Sequence, residues 1–203
     1  MQDDVTLRSE GTATLDPQGP TIPRIPYEEL PPALAEALRP KVERLGYLGE
    51  FFQCGAHQPE ALLGFIEFTE QGHHALGARR NEVVALTAAT MLDNDYEKHQ
   101  HERLSVRLGY GRDWVAAIEQ LDPAAAPGLT PEDRDVQELA LEALRSTGRG
   151  TGPLVRRFAA TYGNELAVAV LFVTARYLAH GMCGHAFELT APVPSIFEDG
   201  FDA

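Results

Sequence analysis

Hydrophobic positions recur at helical spacing along almost the whole chain. After Pro31-Pro32, residues Leu34, Leu38, Val42 and Leu45 fall at intervals of four, four and three, and Gly46 is a natural stop. A second helix starts with Pro59 in its first turn, carries Leu62, Leu63 and Ile66, and closes near Gln71 and Gly72. From Arg80 to Leu92 the segment is apolar nearly all round (Val83, Val84, Ala85, Leu86, Ala88, Ala89), the pattern of a central buried helix. Asp93-Asn94-Asp95 then offers side-chain acceptors to the open N–H groups of a helix that runs from about Asp95 to Leu108 and ends at Gly109. Further helices are predicted over Asp113–Leu121, Pro131–Arg145, Pro153–Tyr162 and Glu165–Leu189. No segment alternates apolar and polar residues between turn signals, as a half-buried strand does. The pattern predicts an all-α, single-domain helical bundle of about seven or eight helices.

The two ends read differently. Residues 1–26 carry prolines at Pro17, Pro20, Pro23 and Pro26, the three-residue period of polyproline II. They predict an extended arm packed over a neighbour; a ligand for a proline-reading module is the alternative. Residues 27–190 form the helical domain, and 191–203 an acidic, loose C-terminal tail.

With 203 residues the chain is long enough for one core, since chains of this size bury about 70% of the surface they expose when unfolded. Lys+Arg 17 against Asp+Glu 30 leaves a formal charge of −13. Nucleic acid and anionic membrane are therefore not expected partners, because both need clustered cations, and the only adjacent pairs are Arg79-Arg80 and Arg156-Arg157. The N-terminus lacks a basic stretch followed by an apolar one, and the longest apolar run, Leu166 to Val173, falls short of the ~20 residues a bilayer needs. A cytoplasmic protein is expected. Cys54 and Cys183 are far apart and form no Cys-x-x-Cys pair, so buried free thiols are the simplest reading, with a bridge between them left open.

The candidate chemistry sits on the Asp95–Leu108 helix. Glu97, His101, Leu104 and Leu108 fall at i, i+4, i+7 and i+11, one face that points inward. A carboxylate and an imidazole on an inward face are costly unless paired. Glu82, on the preceding apolar helix, joins them if the two helices pack as an antiparallel hairpin through Asp93-Asn94. Two readings follow: a structural i, i+4 pair with Glu82 complementing its own helix N-terminus, or an acid–base site.

The stretch Arg80-Asn81-Glu82-Val83-Val84-Ala85-Leu86, followed by Asp95-Tyr96-Glu97-Lys98-His99-Gln100-His101-Glu102-Arg103-Leu104, resembles the carboxymuconolactone decarboxylase family, which includes the alkylhydroperoxidase-D-like proteins. The peroxidase branch of that family places Cys twelve residues after a Glu, a second Cys three further on and His four beyond. Counting from Glu82 gives Asn94, Glu97 and His101, so both thiols are absent while Glu and His are in place. Peroxidase chemistry needs a thiolate there. Glu97-x-x-x-His101 instead resembles the decarboxylase-like branch, whose members use neither metal nor organic cofactor. Weaker likenesses run from about Ile22 to Phe197, through Gly109-Tyr110, Tyr162-Gly163-Asn164-Glu165 and Arg176-Tyr177.

The resemblance implies an all-α homo-oligomer, commonly a trimer or hexamer, with the hairpin contributing to a pocket near a subunit interface and a small molecule as substrate. It implies a lyase-type reaction in which a proton reaches carbon as carbon dioxide departs. His101, with a pKa near neutrality, is then the proton donor; Glu97 and Glu82 orient it or act as the alternate base; Asn94 and Tyr96 are substrate hydrogen-bonding groups. Arg79, Arg80, Arg103, Arg107 and Arg176 are all candidates for holding a substrate carboxylate. His99 lies about 200° round the helix from His101 and reads as a surface residue.

Three other readings carry sequence support. A metal site draws on Asp93, Asp95, Glu97, His99 and His101 with His73-His74, but alternate helical positions diverge, and Gln100 occupies the place a Glu-x-x-His motif needs. His180 and His185 near Cys183 also permit ligation, although a partly buried polar patch is the commoner meaning. No metal is expected. A non-catalytic ligand-binding or assembly protein is the second reading, and a peroxidase acting through Cys54 or Cys183 the third.

Overall fold

The computed structural model describes residues 19–198 and Phe201; residues 1–18 of the predicted arm lie outside the described residues. Among the described residues there are nine α-helices and no strand: α1 Pro32–Leu45, α2 Glu50–Gly55, α3 Pro59–Leu76, α4 Ala78–Met91, α5 Asp95–Arg107, α6 Arg112–Glu119, α7 Pro131–Ser146, α8 Gly152–Tyr162 and α9 Asn164–Ala186. The all-α expectation holds, with one more helix than the upper count. The extra one is α2, whose six residues are too few to show a helical period.

Punctuation by Gly and Pro marks most boundaries. Prolines begin α1, α3 and α7, and Gly46, at φ 80°, closes α1. Gly72 is different: α3 runs through it to Leu76. A Cβ there would stand 3.0 Å from Val173 Cγ2, so its hydrogen lets α3 and α9 approach closely. At the other end α9 stops at Ala186, short of Leu189.

The core has two parts. α4 is buried from Asn81 to Ala89 and is surrounded by α5, α6, α7 and α9. A second cluster gathers Leu34, Leu38, Phe51, Leu62 and Ile66 from α1, α2 and α3. α9 is long and apolar enough to cross a membrane by length and composition, unlike the short run Leu166–Val173, yet half of that window is buried inside the bundle. It is packed as a core helix against α3, α4, α7 and α8.

Neither end of the described chain is loose. Arg24 donates to the Phe187 carbonyl at 3.1 Å and pairs with Glu50, while His57 meets the Pro23 carbonyl at 2.8 Å, so this part of the arm lies on its own domain. The tail is strapped along α5. Buried Glu102 accepts Ser195 Oγ–H at 2.6 Å and the Ile196 N–H at 2.8 Å; Arg103 donates to the Pro194 carbonyl, and Ile196 is fully buried. Over residues 191–198 the expectation of a loose tail fails because Glu102, inward on its helix, needs donors and this segment supplies two.

Candidate active site

α4 and α5 form the antiparallel hairpin, turning at Asp93, which takes φ 53°. Asn94 does not cap α5 with its side chain. That side chain is buried instead against α9, where a Cβ on Gly181 or Gly184 would stand 3.5 or 3.6 Å from it.

The hairpin brings Glu82, Glu97 and His101 together. His101 Nδ1 is 2.8 Å from Glu82 Oε2, and its Nε2 is 3.4 Å from Glu97 Oε2. The inward face of α5 is not the one drawn from spacing, however. Glu97, His101 and Ser105 share it, Ser105 donating to Glu82 at 3.2 Å, whereas Leu108 is 44% exposed.

α9 completes the cluster. Arg176 donates from Nη1 to Glu97 Oε2 at 3.1 Å and from Nε to Thr69 at 3.2 Å. His180 Nε2 lies 3.2 Å from Glu97 Oε1, its ring stacked on Phe51 with centroids 3.9 Å apart. Tyr177 OH is 3.2 Å from His101 Nε2, 3.5 Å from His73 Nε2, and accepts from Asn81 Nδ2 at 3.3 Å. Of the five candidate arginines, Arg176 is the one that joins the cluster. Arg79 and Arg80 pair with Asp133 and Glu132.

These contacts set the charges. Burial alone would lower the His101 pKa, but Glu82 and Glu97 outweigh it and push it up to about 10. The near-neutral value expected for His101 is therefore corrected: flanked by two carboxylates, it is an imidazolium at pH 7. Burial would raise Glu97, yet His180, Arg176 and His101 hold it well below the usual carboxylate range. His180 is itself lowered to about 4, by burial against the pull of Glu97, so at pH 7 it contributes an N–H rather than a charge. His73 is lowered to about 4 by burial, Arg176 and His101. Two carboxylates thus face two cations, and the cluster is close to neutral.

A cavity of about 460 Å³ opens over it, within the range of small-molecule pockets. Its floor is made by Asn81, Glu97, His101, Arg176 and Tyr177. Glu82 lies behind His101 and outside the lining, so Nε2 is the nitrogen on the cavity side. Val193 of the C-terminal strap forms part of the wall.

Asn94 and Tyr96 are not in that lining. Tyr96 is buried in the α1–α3 cluster, its OH accepting the Phe51 N–H at 3.3 Å and its ring near His180. Their place in the structure is packing. Asp95 pairs with Lys98, and His99 meets the Val193 carbonyl. A cation near Glu97 would meet the Arg176 guanidinium, and among the described residues no group of three or more His, Cys, Asp or Glu is placed to hold a metal ion. Both cysteines are free and neither lines the cavity; burial raises the Cys54 thiol.

Sequence reading missed Tyr177, His180 and Asn81 as parts of the site. Tyr177 and His180 sit in an apolar helix where period alone marks them as core; only the position of Tyr177 beside Arg176 offered a signal.

No protein-family model matches the sequence, and no curated protein matches it. Among solved structures, the chain is similar to an alkylhydroperoxidase AhpD core, an uncharacterized peroxidase-related protein from Ralstonia eutropha JMP134. The TM-score is 0.71 at 13% identity, covering 85% of this chain and 92% of the other. The fold is alkylhydroperoxidase-D-like. The resemblance read from the hairpin residues agrees with it.

Proposed function

We propose that the protein is a cofactor-independent acid–base enzyme, a lyase of the carboxymuconolactone decarboxylase kind, acting on a small carboxylated or carbonyl compound. The observation that carries this reading is His101, held as an imidazolium between Glu82 and Glu97 with Nε2 on the floor of the cavity.

In a decarboxylation the bond from the α-carbon to the carboxylate breaks, carbon dioxide leaves, and the electron pair passes into the conjugated carbonyl as an enolate. His101 Nε2 then delivers its proton to carbon, and solvent reloads the neutral imidazole. Such a donor contributes about 10²–10⁴-fold. Glu82 fixes the ring through Nδ1 and stabilises the charged form. Glu97, held ionised by its donors, orients rather than accepts a proton. Arg176 has spent Nε and Nη1, which leaves its Nη2 edge for a substrate carboxylate.

The fold alone is equally consistent with a peroxidase-related role like that named for the Ralstonia protein. The absence of both thiols from the cavity weighs against it here. A ligand-binding protein without turnover is the remaining alternative. Turnover of 4-carboxymuconolactone, followed by ultraviolet absorbance, separates these readings. The proposal expects turnover that His101→Ala removes and that Cys54→Ser with Cys183→Ser leaves intact. Peroxide consumption lost in the cysteine variant supports the peroxidase instead.

We also propose a cytoplasmic homo-oligomer, a trimer or hexamer. Supporting it, α9 exposes Val168, Phe172, Leu178 and Met182 on one side, with Phe68 of α3 beside Phe172.

A further inference from the structure

The cavity has an electrostatic gradient that the acid–base cluster does not explain. Five of the chain's 17 Lys and Arg line this one cavity, in a protein of formal charge −13. Arg176 is on the floor, paired with Glu97. The other four stand above: Lys41 and Arg44 on α1, and Arg103 and Arg107, spaced i, i+4, on α5. Arg44 and Arg107 are exposed, and neither has a carboxylate partner among the described residues. Lys41 pairs with Glu70, and Arg103 donates to the Pro194 carbonyl, an uncharged acceptor. Among the described residues, therefore, about three positive charges at the mouth, those of Arg44, Arg103 and Arg107, have no carboxylate partner, above a near-neutral floor.

The floor also holds an unsatisfied acceptor. Asn81 is 5% exposed, its Nδ2 donates to Glu82 and Tyr177, and its Oδ1 is buried with no partner. A buried acceptor without a donor costs free energy that a bound hydroxyl offsets.

We propose that the cavity takes an elongated ligand whose hydroxy-carbonyl head reaches His101 and Asn81 while a multiply charged anionic tail, phosphate or polycarboxylate, stays among Arg44, Arg103 and Arg107 at the mouth. The proposal rests on the acid–base reading only for the direction of the head. The carbonyl oxygen accepts from His101 Nε2, and the hydroxyl donates to Asn81 Oδ1. The tail supplies binding energy away from the reacting atoms and makes association salt-dependent.

Calorimetric titration with dihydroxyacetone phosphate, tricarballylate and dihydroxyacetone tests each part. At least one anion binds about tenfold or more tightly than the neutral sugar, and its affinity falls as NaCl rises from about 0.05 to about 0.5 M. The tighter of the two anions assigns the tail. The exposed double variant Arg44→Gln/Arg107→Gln loses at least about tenfold in that affinity, whereas the matched control Arg145→Gln/Arg149→Gln, exposed and away from the cavity, stays within about threefold. Equal binding of neutral and charged probes, no binding of either anion, or an unchanged affinity in the double variant overturns the proposal. Failure of the acid–base reading has a different signature: no turnover by the wild type, with these affinities unmoved.

Discussion

His101 Nδ1 and Glu82 Oε2 face each other at 2.8 Å across the α4–α5 turn, nineteen residues apart in sequence, with Ser105 donating to the same oxygen. That contact fixes which nitrogen of the ring meets the cavity and supplies much of the charge that keeps the ring protonated. Glu82→Gln keeps the shape and removes the charge. The His101 pKa then drops from about 10 toward its ordinary value, and the alkaline limb of the pH–rate profile moves down with it. A limb that stays in place assigns the effect to Glu97 alone.

Arg176 and Glu97 are both buried, so removing one partner strands the other. Arg176→Met is expected to destabilise the fold by about 3–5 kcal/mol, the range for breaking a buried pair, read as a lower urea midpoint at constant slope. His101 and His180 still hold Glu97, which favours the lower end.

Between α5 and α6 a second carboxylate pair works against stability. Glu119 is raised to about 8 by burial and by Glu102, with Lys98 opposing and Asp95 adding to the rise. A carboxyl whose folded pKa exceeds its unfolded value of about 4.5 favours folding at low pH and progressively less as pH rises to about 8. Glu119→Gln is expected to flatten that decline, giving a thermal midpoint that changes less between about pH 5 and 8 than the wild type's. A variant whose midpoint falls as steeply as the wild type's contradicts the assignment.

The C-terminal strap depends on Glu102. Glu102→Ala deletes the acceptor for Ser195 and Ile196, each a charge-assisted contact worth about 1.5–3 kcal/mol. The expected result is faster proteolytic cleavage after residue 190 and a cavity opened at Val193, with the helical circular dichroism retained.

The exposed side of α9 predicts association. Phe172→Glu with Met182→Lys places charge on the apolar stripe, and light scattering is expected to report a smaller assembly than the wild type at equal concentration. An unchanged mass removes α9 from the interface.

How much of this was legible beforehand divides by range of interaction. Helix starts at Pro32, Pro59 and Pro131 and the convergence of Glu82, Glu97 and His101 followed from local rules, because capping residues and 3.6-residue spacing act within one or two turns. The run of α3 through Gly72 did not, since that glycine serves a contact with Val173, a hundred residues away. Nor did the inward face of α5, where Glu102 and Ser105 are fully buried and Leu108 is not. Those positions are decided by partners on α4 and in the tail. The charge of His101 was misjudged for the same reason: its value reflects two carboxylates at once, and spacing shows presence but not distance.

The central claim is that His101 enters any reaction as a charged, fully loaded proton donor. The most direct measurement is a nitrogen-15 NMR titration of the His101 ring, assigned by comparison with His101→Asn. Both ring nitrogens are expected to stay protonated through neutral pH, with titration near 10. A ring that loses its proton near its ordinary value of about 6.5 or below contradicts it.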